Sequence, residues 1–78
     1  MKTLRSVFAP VLGVKPEELN KKSSSKTISS WDSVINLILL TEIEKEYSTS
    51  ISIEEVYNLE DLGDVFELLR HKGVPLKF

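Results

Sequence analysis

The sequence predicts an all-α fold: a small four-helix bundle of three longer helices and one short one. Three observations carry that expectation. Leu4, Val7, Phe8, Val11 and Leu12 recur at the spacing of a helix with one apolar face. Residues 33–47 contain neither Gly nor Pro and are rich in helix formers. Leu62, Val65, Phe66 and Leu69 repeat the helical spacing further on, and no run alternates as a strand would.

The first helix is expected over about residues 2–13. Pro10 interrupts it, because proline lacks an N–H and its ring crowds the carbonyl four residues earlier, that of Ser6. Either the helix kinks there or a shorter one ends near Ala9, and Gly13 supplies the stop. Pro16 suits the first position of a single turn through Leu19. Residues 20–30 are polar, include Ser23-Ser24-Ser25, and read as a loop that Ile28 pins to the core. The loop is long for so small a domain, which suggests function or mobility.

In the second helix, Leu39, Leu40, Ile43 and Tyr47, flanked by Leu37, are read as the core face. Val34, Ile35 and Ile38 are placed on the opposite side with Thr41 and Lys45. A helix apolar on both sides is either fully buried or carries a binding face. The charges Glu42, Glu44, Lys45 and Glu46 argue that its second half is exposed. The contact surface is therefore expected over the first two turns. Ser52 and Glu55 have capping-box spacing, which predicts a short helix over about 53–57 with Ile51, Val56 and Leu59 inward. Asp61 caps the last helix, and Arg70, His71, Lys72 and Gly73 suit its end. His71 reads as an end-of-helix residue, and residues 73–78 as a tail.

The chain of 78 residues makes one small domain with a marginal core. It has no cysteine, so it forms no disulfide and no thiolate metal site, and its single His71 makes no metal cluster alone. No run approaches the roughly 18 apolar residues of a membrane span, and the first residues do not read as a signal peptide. These features point to a soluble, cytoplasmic protein. The net charge of −2 hides an asymmetry. Residues 1–30 hold six Lys/Arg against two Glu, a net +4, whereas residues 31–70 hold ten Asp/Glu against two basic residues, a net −8. An acidic body argues against a nucleic-acid partner and fits partners with basic docking surfaces.

Trp31-Asp32-Ser33-Val34 opens the second helix. Asp32 can accept from the helix's first free N–H groups. Ser33 then lies in the first turn near the positive end of the dipole, where an attached anion such as a phosphodiester is favourably placed. The plain alternative is an N-cap followed by a merely polar serine.

The wider pattern resembles the acyl carrier protein family over nearly the whole chain. Residues 12–19 look like the segment that ends the family's first helix. Asp32-Ser33-Val34 stands where the family usually has Asp-Ser-Leu. Leu37, Leu39, Leu40, Ile43, Glu44, Glu46, Tyr47, Ile51, Glu54, Glu55, Leu59, Leu62 and Val65 follow without a gap at the family's core and acidic positions. The resemblance implies the acyl-carrier type of bundle. It also implies a 4′-phosphopantetheine arm, moved from coenzyme A onto Ser33 by a phosphopantetheinyl transferase, with Asp32 as part of the motif. The arm's thiol would hold an acyl group as a thioester. That explains how a chain without cysteine could do thiol chemistry.

Such a protein is a monomeric carrier rather than an enzyme, since the sequence offers no base beside a nucleophile. Its partners would be that transferase, an acyl-loading ligase or synthase, and acyltransferases. They would dock on Val34, Ile35, Ile38, Thr41, Glu42 and Glu44. Two departures stand out. Ile35, Ile38 and Thr41 replace acidic residues common on the outer face in fatty-acid synthesis. Trp31 replaces a small or flexible residue; the Trp-Asp-Ser form is similar to carriers of surface-polysaccharide or other specialised pathways. Structurally, Trp31 reads as a core plug closing the loop. Two competing functions are an aminoacyl or peptidyl carrier of a non-ribosomal pathway and an unmodified helical interaction module.

Overall fold

The computed structural model describes residues 3–78. In order the elements are α1 (Leu4–Leu12), a 3₁₀ turn (Pro16–Glu18), α2 (Ser33–Tyr47), α3 (Ile53–Tyr57) and α4 (Leu62–His71). Among the described residues these are four α-helices and no strand, with an isolated parallel bridge between Thr3 and Lys77. The fold is the small all-α helical bundle that the periodicity predicts.

Every α-helix starts on a side-chain cap. Thr3, Asp32, Ser52 and Asp61 each accept from the N–H three residues on, which satisfies a donor with no partner inside the helix. The capping box predicted for α3 is present, with Ser52 and Glu55 bonded reciprocally. Gly13 ends α1 in the left-handed region at φ 70°, a conformation glycine adopts without a Cβ penalty.

Pro10 does not stop α1 at Ala9; the helix runs on to Leu12. The proline ring faces solvent and Leu12 is buried. Burying a leucine side chain contributes about 1.5–3 kcal/mol, enough to offset one missing intrahelical hydrogen bond.

The core joins α1, α2 and α4. Leu4, Phe8 and Leu12 come from α1, Leu39 and Ile43 from α2, and Leu62, Val65, Phe66 and Leu69 from α4. Leu19 and Trp31 reach in from the long connection between α1 and α2. Trp31 is the plug expected: it is buried, and its ring meets Phe8 edge-on with centroids 5.6 Å apart. Ile28 packs against the same core.

The polar connection is more ordered than its composition suggests. Ser23 and Ser24 are buried. The Ser23 hydroxyl accepts from the Asn20 N–H at 2.9 Å, and Thr27 Oγ1 accepts from the Ser24 N–H at 3.0 Å. Its backbone is tied to α4 as well: the Leu62 N–H donates to Ser23 O at 2.9 Å and the Gly63 N–H to Lys21 O at 2.7 Å.

Residues 73–78 are not a loose tail. The Leu4 N–H donates to Lys77 O and the Arg5 N–H to Phe78 O. Phe78 meets Phe66 edge-on at 5.7 Å, and Val74, Leu76 and Phe78 pack on the core. The segment supplies acceptors for first-turn N–H groups of α1 that have no partner within the helix.

Candidate functional site

The Trp31–Asn36 segment builds the site. Asp32 is extended, and its Oδ1 accepts from the Ile35 N–H at 2.9 Å, which fixes the start of α2. Ser33 follows as the first helical residue and is exposed. Among the described residues no protein group hydrogen-bonds its hydroxyl. The oxygen is thus presented to solvent at the positive end of a helix of 15 residues.

Beside it lies a recess of about 360 Å³ lined by Ser25, Trp31, Asp32, Ser33, Asn36 and Leu59. Ser25, Trp31, Asn36 and Leu59 also border a small cavity of about 60 Å³ whose other walls are Phe8, Leu39, Leu40, Ile43, Val56 and Val65, with Glu60 and Asp61 at its polar side. Asn36 sits between the two, and its Oδ1 accepts from the Trp31 indole N–H at 3.2 Å. Sequence reasoning passed over Asn36. The available signal was a polar residue three positions after Ser33, on the same side of α2 and amid aliphatic neighbours.

The outward face of α2 differs from the expected one. Val34 and Ile38 are exposed (65% and 43%), and Thr41 is exposed, as expected. Ile35 is not: it is half-buried and packed against the core. Leu37, expected to flank the core, is 66% exposed. The reason is the helix phase. Ile35 precedes Leu39 by four residues and so lies about 40° from it, whereas Leu37 precedes it by two and lies about 160° away. The exposed stripe is Val34, Leu37, Ile38 and Thr41.

Glu42 and Glu44 are half-buried rather than freely displayed. Glu44 is turned to its own chain, its Oε2 accepting from the Ile51 N–H at 2.9 Å. It closes the loop between α2 and α3. A groove of about 380 Å³ runs alongside, lined by Leu37, Leu40, Thr41, Glu44, Ile51, Ile53, Val56 and Tyr57. Ile53 and Tyr57, at 73% and 83% exposed, extend the apolar surface onto α3.

Among the described residues no three His, Cys, Asp or Glu side chains gather to hold a metal ion. No helix among them is long and apolar enough to cross a membrane. His71 is exposed at the last residue of α4. No protein-family model matches the chain.

Proposed function

We propose that the protein is an acyl carrier whose Ser33 takes a 4′-phosphopantetheine arm. The observation that carries the reading is the exposed, unbonded Ser33 hydroxyl at the capped start of α2, next to an open recess. The residues present fit such a group. N–H groups of the first turn other than Ile35's have no intrahelical partner and suit a phosphodiester's charge. Trp31 and Leu59 offer the arm an apolar wall, and Asn36 a polar one. Asp32 keeps its carboxylate engaged at Ile35 and so fixes the turn that presents Ser33.

In the loading step the Ser33 oxygen attacks the β-phosphorus of coenzyme A. The new bond is Oγ–P, the pyrophosphate P–O bond breaks, 3′,5′-ADP leaves, and the hydroxyl proton passes to a base of the transferase. When bound, the arm supplies a thiol that holds the cargo as a thioester. The chain's own residues hold and present Ser33, and the base that activates it belongs to the transferase. Partners are the phosphopantetheinyl transferase, an acyl-loading ligase or synthase, and acyltransferases, all cytoplasmic. They meet the stripe Val34–Leu37–Ile38–Thr41 next to Ser33.

Incubation with coenzyme A and a broad-specificity phosphopantetheinyl transferase, read by intact mass, tests the reading. The protein gains one arm and Ser33→Ala gains none. An unmodified wild-type chain, or modification persisting in Ser33→Ala, overturns it. Loading the holo form with candidate ligases then separates acyl from aminoacyl cargo.

A further inference from the structure

We propose that Asn36 is a positioning residue for the arm on Ser33: its side-chain NH₂, aimed by the Trp31 indole, donates to an acceptor oxygen of the arm. The inference rests on the carrier reading above.

The indole N–H only donates, so the atom it meets must be an acceptor. At 3.2 Å that atom is Asn36 Oδ1. The bond assigns the amide: oxygen toward Trp31, NH₂ away from it. Trp31 is itself buried, with its ring edge-on to Phe8. Among the described residues no protein group accepts from the Asn36 NH₂. Asn36 is half-buried and lines the open recess, so its two NH₂ donors, without a protein partner, face solvent there and are available to a group from outside. Asparagine is also a poor helix former, in a run where aliphatic residues would extend the core. That choice is explained if the donors serve a group that is not part of the chain.

The position fits. Residues three apart on a helix share a side, with Cβ atoms about 5–6 Å apart. Ser33, Asn36 and Leu59 line one recess. An arm leaving the Ser33 oxygen carries acceptors along its first stretch, the phosphodiester oxygens and then an amide carbonyl. A donor held there restricts the arm's directions and lowers the ordering cost when a partner engages it.

The test uses isotope-labelled protein before and after loading with coenzyme A and a transferase. On loading, the Asn36 NH₂ resonances should shift, and an arm resonance should depart from its position in the denatured holo protein. Departure of the phosphorus signal assigns the contact to the phosphodiester; departure of the arm's amide assigns it to that carbonyl. Asn36→Asp keeps an acceptor for Trp31 but has no NH₂. It should return the arm to its denatured-state position while the indole N–H signal stays in place. Asn36→Leu repeats the loss without adding charge, and Trp31→Phe weakens it by releasing the amide.

A merely structural Asn36 predicts the opposite for Asn36→Asp: the Trp31 contact survives and the arm resonances do not change. That result, or wild-type NH₂ resonances unmoved by loading, overturns the proposal. The wild-type measurement needs no variant to fold. A wild-type chain that gains no mass on loading overturns the carrier reading itself.

Discussion

One carboxylate joins α3 to the end of α4: Glu55 Oε2 lies 2.9 Å from Lys72 Nζ, while Glu55 Oε1 accepts from the Ser52 N–H at 2.9 Å. The Ser52 N–H, then the hydrogen bond to Lys72, hold the Glu55 carboxyl below its ordinary range. A lowered folded value means the stabilisation is present above the ordinary glutamate value and lost as pH falls through the lowered one. Acid should therefore release α3 before the rest of the bundle. Chemical shifts of the Val56 and Asn58 amides should titrate at a midpoint below that of an ordinary glutamate, and Glu55→Gln should abolish that step. A step at the ordinary value would mean the carboxylate gains nothing from these partners.

Gly63 should not tolerate alanine, although it sits in a helix. Gly→Ala in a helix interior normally gains about 1 kcal/mol. Here a Cβ would stand 2.8 Å from the Lys21 carbonyl oxygen and 3.2 Å from Lys21 Cβ. That carbonyl already accepts from the Gly63 N–H at 2.7 Å, so it cannot retreat without breaking the tie between the long loop and α4. Overpacking of this kind costs about 1–3 kcal/mol. Gly63→Ala should lower Tm by several degrees, on the order of 4–8 °C per kcal/mol at this size. An unchanged or raised Tm would show that the loop yields freely.

The C-terminal segment should act as a brace on α1. Phe78 meets Phe66 edge-on at 5.7 Å, and the Arg5 guanidinium lies 5.3 Å from the Phe78 ring centroid. An edge-on aromatic pair contributes about 0.5–1.5 kcal/mol beyond its buried area. Phe78→Ala should lower Tm and raise hydrogen exchange at the Leu4 and Arg5 amides, which donate to Lys77 and Phe78. Unchanged protection at those amides would leave the segment an ornament on the surface.

Where local chemistry is decisive, the sequence and the structure agree residue by residue. Ser52 and Glu55 announce α3, Asp61 announces α4, and Leu62, Val65, Phe66 and Leu69 are all buried. The start of α2 is legible for the same reason, since Asp32 caps by a side-chain bond within three residues. What was hidden depends on contacts distant in sequence. Ser23 and Ser24 look like linker until α4 donates to Lys21 and Ser23. Residues 73–78 look like a tail until α1 pairs with them. Asn36 acquires a role only once Trp31 is buried beside it. α2 is aliphatic nearly all round, so composition alone does not choose its face; Ile35 and Leu37 change places on the helix phase.

That exchange sets the last prediction. Val34, Leu37 and Ile38 form an exposed aliphatic stripe within about a turn and a half of Ser33, continued by Ile53 and Tyr57 on α3. A partner reaching an arm on Ser33 passes over it. Each side chain seated in a partner's pocket could contribute about 1.5–3 kcal/mol, reduced by the costs of docking. Leu37→Asp should therefore leave circular dichroism and Tm near wild type, while raising the transferase's KM with little change in kcat. Ile35→Asp should behave differently, because Ile35 packs on the core: a half-buried, unpaired carboxylate there lowers Tm before any partner is present. Docking should weaken only moderately with added salt, since Glu44 is engaged with the Ile51 N–H and an apolar contact is not screened. If Leu37→Asp is transferred as well as wild type while acidic-to-neutral changes on α2 abolish transfer, recognition is electrostatic and the stripe is not the docking face.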